Sequence, residues 1–323
     1  MATRQEPKLI VPCLTRLDED RVKEHLARHE FFWLDLAHPT DEDVDRLGEL
    51  FGFHPLALED VCHFGQRPKL DEYGDYVYLV YYGGIDGDHE PGERLLEVHM
   101  FISGGYLITV HREPVPSLEV ERDRIDGMPL HSEQFLLYRV LDTLTDSFFP
   151  LLADIDDEID ELEEGVVAAP SEEQLQRLFT LRRELVSMRK VISPQRDIFA
   201  RSIDRIGALP GLTLDERDYF RDVYDHLIRI SDLVDSYRDL LSGAMDLYLS
   251  TVGNRQNEVM KQLAVVGTIF LPLSFITGFF GQNFGWLVNR VLTPEWSFFA
   301  IGIGSMVVTC ALLLLFFKRK GWL

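Results

Sequence analysis

Two long stretches without a charged side chain decide most of what this chain can become. From Gln262 to Asn289 no residue is charged, and Leu263–Phe280 (LAVVGTIFLPLSFITGFF) is almost wholly apolar. The second stretch, Trp296–Phe317, runs 22 residues without a charge. A helix rises ~1.5 Å per residue, so each is long enough to cross the ~30 Å hydrocarbon core of a bilayer. Neither run shows the polar face that a core helix of a soluble protein would carry. Lys261 stands before the first run and Lys318-Arg319-Lys320 after the second, while the segment between them holds one Arg and one Glu. Positive flanks stay on the cytoplasmic side, so both termini are expected in the cytosol and only the short connection outside.

Charge is distributed just as unevenly. The 323 residues carry 32 Lys and Arg against 54 Asp and Glu, a net of −22. Residues 262–323 hold Arg290, Lys318, Arg319 and Lys320 against Glu295 alone, which leaves 28 basic and 53 acidic residues, a net of −25, ahead of the first span. Nothing in that part offers the basic footprint that phosphate backbones require, so nucleic acid is excluded as a partner. At 46% apolar the chain is no disordered acidic tail either. Cys13, Cys62 and Cys310 lie far apart and read as free thiols in a reducing compartment. The first thirty residues contain no apolar run of signal-peptide length. No nucleophile–base pair, phosphate loop or dinucleotide fingerprint is present, so an enzyme is not expected.

Residues 1–130 read as an α/β domain. Tyr76–Tyr82, Leu95–Ser103 and Tyr106–His111 have the composition of strands, and Gly104-Gly105 between the last two signals a hairpin. Residues 131–212 form an acidic helical hairpin. Ile155, Ile159, Leu162 and Val166 recur at helical spacing among eight acids from Asp154 to Glu164. Pro170 ends that run, Ser171 with Gln174 makes a capping box, and Leu175, Leu178, Leu181, Leu185, Met188 and Ile192 form the second seam. The eight acids point in several directions around one helix and are expected to be a solvated face. His99 and His111 fall in strands without partners at ligand spacing and are expected to be satisfied or exposed.

A stalk helix, 213–262, opens with a second capping box, Thr213 to Glu216. It carries Phe220, Val223, Leu227, Ile230, Val234, Tyr237 and Leu241 at a spacing of three and four, and no proline interrupts it before Pro272. Such a helix would run ~100 Å into the first span. Its long apolar seam favours self-association, with folding back on its own hairpin as the other possibility. Asn257, Met260, Leu263, Gly267, Leu271, Ser274 and Gly278 share one stripe of the stalk and first span. Small residues there serve either helix packing or a pore in which Met260, Leu263 and Leu271 make a narrow apolar gate above the Asn257 amides.

The runs Phe220–His226 (FRDVYDH), Tyr248–Met260 (YLSTVGNRQNEVM) and Thr268–Asn283 (TIFLPLSFITGFFGQN), a second span and a terminal KRKGWL resemble the CorA family of divalent-cation channels. Pro55–Val61 (PLALEDV), Arg67-Pro68-Lys69 and Ile155–Asp160 (IDDEID) extend the likeness over most of the chain. The resemblance implies a homopentamer in the cell membrane, with an α+β cytoplasmic funnel domain, a long helical stalk and two transmembrane helices. The first helix (263–281) lines a pore, an external loop (282–295) leads to the second (296–317), and a basic tail (318–323) follows. It implies uptake of Mg2+, closed when cytoplasmic Mg2+ binds between subunits.

The family's Gly-Met-Asn tripeptide stands here as Gly281, Gln282 and Asn283, and the loop after it lacks the acidic Met-Pro-Glu-Leu segment. Asn283 keeps the neutral amide that can hold a hydrated Mg2+ through its waters. The resemblance assigns the regulatory cation to Asp222, with Asp86 or Asp88 of a neighbouring copy as its partner and Asp142 as a second candidate. A Zn2+ transporter like the ZntB branch, or one for Co2+ or Ni2+, remains the alternative within the class. A membrane-tethered cation sensor that conducts nothing is the alternative outside it. With no ionisable residue between Lys261 and Arg290, a potential-driven channel is simpler than proton-coupled exchange.

Overall fold

The computed structural model describes residues 9–85, 94–130, 132–206, 217–282, 285–286, 289–290 and 295–322. It divides into two units, Met1–Met245 and Asp246–Leu323.

The first unit is built on the strands the sequence marks out. β1 (Leu9–Ile10) pairs with β8 (Pro129–Leu130), apart from a six-stranded sheet. That sheet comprises β2 (Cys13–Leu14), β3 (Phe32–Ala37), β4 (Lys69–Glu72), β5 (Val77–Gly84), β6 (Leu95–Ile102) and β7 (Tyr106–His111), in the order β2-β3-β7-β6-β5-β4. β3 lies parallel to β2 and β7, and the remaining pairs are antiparallel, including the expected β6–β7 hairpin with Ile102 opposite Leu107. β5 and β7 are buried at every position, which explains why neither sequence alternates between apolar and charged residues; the polar Thr109 and His111 of β7 are buried with partners.

Side chains leave a strand alternately on its two faces, and each face has its own core. Phe32, Leu34, Tyr78, Val80 and Phe101 face α1 (Glu19–Arg28), α2 (Asp41–Phe51) and α3 (Pro55–Cys62), together with the hairpin of α6 (Phe148–Ala168) and α7 (Glu172–Ile206). Trp33, Val77, Leu79, Tyr81 and Met100 face α4 (Pro116–Ile125) and α5 (Glu133–Asp146). The end of β5 approaches the α5–α6 junction so closely that a Cβ on Gly84 would lie 2.8 Å from the Ser147 carbonyl. The hairpin turn is capped as its sequence requires: Gln174 N donates to Ser171 Oγ (3.3 Å) and Ser171 N to Gln174 Oε1 (3.0 Å).

α8 runs Arg217–Phe280, 64 residues with Pro272 inside it. Thr213 and Glu216 lie outside the described residues. The apolar seam of α8 corrects one expectation. Phe220, Val223 and Leu227 are buried in the α4–α5 core, and Ile230, Val234, Tyr237, Leu241 and Ala244 in the hairpin core. The chain's own domain therefore fills this seam, and folding back on the hairpin is what occurs. Periodicity gives the width of a seam and not the identity of the surface that covers it.

Both histidines sit in buried networks. Asp35 Oδ1 accepts from Thr109 Oγ1 (2.6 Å) and meets His111 Nε2 (3.0 Å), Asp35 Oδ2 accepts from Arg122 Nη1 (2.6 Å), and Thr109 Oγ1 accepts from Trp33 Nε1 (3.0 Å). Burial would push the Asp35 carboxyl up, but His111, Thr109 and Arg122 outweigh it and hold it below the usual range. Burial likewise opposes a charged His111, and Asp35 with the Glu113 carbonyl outweighs that and raises it. The depressed Asp35 contributes stability above the unfolded pKa of ~3.9, lost as pH falls through its folded value. The raised His111 contributes below ~6.5, lost as pH rises through its folded value. Thermal stability of the full chain is therefore expected to fall between pH 6 and 8, and His111→Gln to flatten that slope; an unchanged slope would show that His111 does not titrate in this window. His99 is held between Tyr78 Oη (2.5 Å) and Glu97 (2.9 Å).

In the second unit, the remainder of α8 is accompanied by α9 (Glu295–Ser297), a π-helical turn (Phe298–Ile303) and α10 (Gly304–Arg319). Among the described residues, two helices are long and apolar enough to cross a membrane, Asp218–Phe280 and Phe299–Arg319. The C-terminal turn is tied down by Lys261 Nζ to the Gly321 carbonyl (3.3 Å), Trp322 N to the Phe317 carbonyl (3.0 Å) and stacking of Trp322 on Phe317.

Candidate ion pathway and cation site

The stripe singled out in the sequence lies on the second unit's part of α8, which its own chain leaves uncovered on most sides; Val266, Phe270 and Phe275, outside the stripe, are 62%, 69% and 74% exposed. Met260, Leu263 and Leu271 are 60%, 63% and 73% exposed, and Asn257, Ser274 and Gly278 are exposed too. Apart from Gly267, the half-covered or buried positions from 261 to 280 are Lys261, Val265, Ile269, Pro272, Leu273, Ile276 and Phe280, with Val265 at 8%. At 100° per residue the two stripes are centred about 165° apart, on nearly opposite faces. Gly267, about 15° from the centre of the first stripe, is half-covered, although a Cβ there would meet nothing within 4 Å. A face of large apolar, small and amide-bearing residues exposed to this extent requires lipid or other protein copies beside it.

α8 ends just before the tripeptide. Gly281 N donates to the Thr277 carbonyl (2.9 Å) and Gln282 N to that of Phe279 (3.3 Å). A Cβ on Gly281 would lie 3.2 Å from the Thr277 oxygen, tighter than most side chains accept, so glycine suits this turn. Gln282 is exposed. Asn283 lies outside the described residues.

In the first unit, two candidate regulatory residues come together. Asp142 and Asp146 are one turn apart on α5, and Asp222 and His226 one turn apart on α8. His226 Nδ1 lies 2.8 Å from Asp146 Oδ1 and 3.8 Å from Asp142 Oδ1, His226 Nε2 lies 3.9 Å from Asp222 Oδ1, and Tyr138 Oη donates to Asp222 Oδ2 (3.3 Å). Ligand atoms of Asp142, Asp146 and His226 all fall within 4.8 Å of one another. Asp142 is buried, and its Oδ1 has no hydrogen-bond partner. Burial, then the neighbouring charge of Asp146 and Asp222, pushes its carboxyl up to about 6, with His226 opposing. Two or three carboxylates with an imidazole could hold a divalent cation; the carboxylates are hard ligands and the imidazole suits 3d metals as well.

Asp146 and His226 were not singled out from the sequence. The available signal was the pair of i, i+4 spacings, each placing two ligands on one helix face. Asp86 and Asp88 lie outside the described residues. None of the eight acids of α6 belongs to a three-ligand group among the described residues.

An α/β domain, a helical hairpin and a long helix that leads into the first of two apolar spans define a two-span membrane transport protein. The chain belongs to the CorA-like Mg2+ transporter protein family, whose family model matches residues 28–319. It is 38% identical over 299 residues to the cobalt/magnesium transport protein CorA of Thermotoga maritima, covering 90% of this chain and 83% of that one. Among solved structures, the complete CorA magnesium transporter from Methanocaldococcus jannaschii superposes with a TM-score of 0.77 at 26% identity, over 90% of this chain and 91% of that one. The cytoplasmic domain of ZntB from Vibrio parahaemolyticus shares the fold at 17% identity and TM-score 0.56, over 70% of this chain and 88% of that one.

Proposed function

We propose that this chain is one protomer of a homopentameric channel that admits divalent cations, chiefly Mg2+, into the cytosol. The observation that carries the reading is the uncovered stripe on the first span, uncharged and nearly opposite the half-covered face of the same helix. Five copies arranged around that stripe would enclose a pathway of Asn257 amides, a constriction of Met260, Leu263 and Leu271, and the small residues Gly267, Ser274 and Gly278. Apolar constrictions of this kind gate by losing their water. Gly281, Gln282 and Asn283 form the outer mouth, and residues 282–295 the external loop. The names of the Thermotoga and Methanocaldococcus relatives support Mg2+, with Co2+ as a second substrate.

Closure is assigned to the cluster of Asp142, Asp146, Asp222 and His226, joined by Asp86 or Asp88 of a neighbouring copy. Without a cation its carboxylates repel one another and the arrangement loosens; with Mg2+ it tightens and the channel closes. The membrane is the cell's inner or plasma membrane, with both termini in the cytosol.

Cysteine substitution tests the pathway. In a background with Cys13, Cys62 and Cys310 all replaced by alanine, a water-soluble, positively charged thiol reagent is expected to block flux through Ser274→Cys and Gly278→Cys, and to leave Ile269→Cys and Ile276→Cys unaffected. Block at the second pair and not at the first would put the pathway on another face of the helix.

A further inference from the structure

The first unit is strongly acidic and its sequence shows no basic run, yet the fold lines one of its grooves with cations, which corrects the expectation that nothing there could meet phosphate. Phe179, Arg182, Arg183, Val186, Ser187 and Lys190, all on α7, border a cavity of about 590 Å3. Ser187 and Lys190 also border an adjoining cavity of about 500 Å3, whose other wall includes the turn Gly65–Pro68. Together they make one trough that follows α7 for ~16 Å from Phe179 to Lys190.

The side chains lining this trough bring four cations, Arg67, Arg182, Arg183 and Lys190, and one carboxylate, Glu97. That carboxylate is already engaged: Gly65 N and Gln66 N donate to it (2.5 and 3.0 Å), and His99 Nε2 lies 2.9 Å from it. Tyr82 Oη donates to the Gln66 carbonyl (2.6 Å), so the turn bearing Arg67 is held in place. Glu184, the acid on this stretch of α7, is buried against Arg94 (3.2 Å). Among the described residues none of the four cations has an ion-pair partner, and Arg183 Nη2 meets only Thr180 Oγ1 (3.4 Å).

Four unpaired cations around one concavity concentrate a positive field in a domain that is otherwise negative. Guanidinium groups match phosphate oxygens in pairs, and a lysine adds a point charge. Phe179, 47% exposed at one end, offers a face on which an aromatic base can stack. We propose that this trough binds a nucleoside polyphosphate, with the phosphates across Arg183, Lys190 and Arg67 and the base against Phe179. The site stands independently of the transport reading.

Isothermal titration calorimetry of the purified full chain in detergent, with EDTA and low salt, tests it using ATP, tripolyphosphate and adenosine. The expected result is saturable ATP binding, weaker tripolyphosphate binding and none for adenosine. Arg183→Ala/Lys190→Ala is expected to weaken ATP by about tenfold or more, since it removes two of the charged groups that would hold the phosphates. Phe179→Ala should weaken ATP and leave tripolyphosphate unchanged. These side chains are exposed, and an unchanged melting temperature checks that the variants fold. Absence of saturable ATP binding, or ATP binding indifferent to the double variant, overturns the proposal. Equal affinity for ATP and tripolyphosphate with no effect of Phe179→Ala overturns the nucleoside assignment. A change of oligomeric mass in the double variant, with no ATP bound by the parent chain, overturns it in favour of a contact between copies.

Discussion

Replacing Asn283 by alanine is expected to abolish divalent-cation flux and to leave the oligomer intact. No charge occurs between Lys261 and Arg290, so side-chain polarity at the outer end of the first span rests on Gln282 and Asn283 with the hydroxyls of Ser274 and Thr277. Mg2+ gives up its waters reluctantly, and a ring of neutral amide oxygens can orient the hydrated ion without holding it so tightly that it cannot leave. Hydrogen bonds to a charged partner contribute ~1.5–3 kcal/mol each, and the substitution removes them from every protomer at once. Flux should fall to the level of protein-free liposomes, while the mass in detergent stays unchanged. Normal flux from an intact oligomer would remove Asn283 from the selectivity mouth.

The second large effect concerns closure. Asp142→Asn with Asp222→Ala is expected to leave a channel that cytosolic Mg2+ no longer shuts. A ligand at 100 times its dissociation constant stabilises the state it binds by ~2.7 kcal/mol, and this Mg2+-dependent rise in melting temperature should vanish in the double variant. Asp142→Asn alone has a further consequence in the Mg2+-free chain. The Asp142 carboxyl is pushed up to about 6, so its contribution is fully present below ~3.9 and is lost as pH rises through about 6. At pH 7.5 its charge costs on the order of 2–3 kcal/mol, and the neutral amide should recover part of that. Unchanged Mg2+ inhibition and unchanged Mg2+ stabilisation in the double variant would remove the cluster from gating.

What the sequence announces is what depends on local pattern. The two spans follow from uncharged length, the β6–β7 hairpin from Gly104-Gly105, the α6–α7 turn from Ser171 and Gln174, and the α8 seam from its spacing. Each signal is complete within some twenty residues. What stayed hidden depends on distant partners. Asp35 meets His111 across 76 positions, His226 meets Asp146 across 80, and the order of the sheet, with β3 beside β7, is not implied by any one strand. The seam of α8 illustrates the boundary: its existence was legible, whereas its burial inside its own chain required the fold. The stripe from Asn257 to Gly278 was legible as a pattern, and its uncovered state, nearly opposite the half-covered face, came from the structure.

The central claim is a passive pathway for divalent cations, and ion flux into liposomes containing the purified chain tests it most directly. Mg2+ entry should be measured under an inside-negative potential with no pH gradient, beside Zn2+, Co2+ and Ni2+. A divalent ion gains roughly 4.6 kcal/mol per 100 mV, so the expected result is Mg2+ entry that grows with potential and needs no proton gradient. Entry of Zn2+ without Mg2+, entry only when a pH gradient is imposed, or no divalent flux at all would contradict the claim.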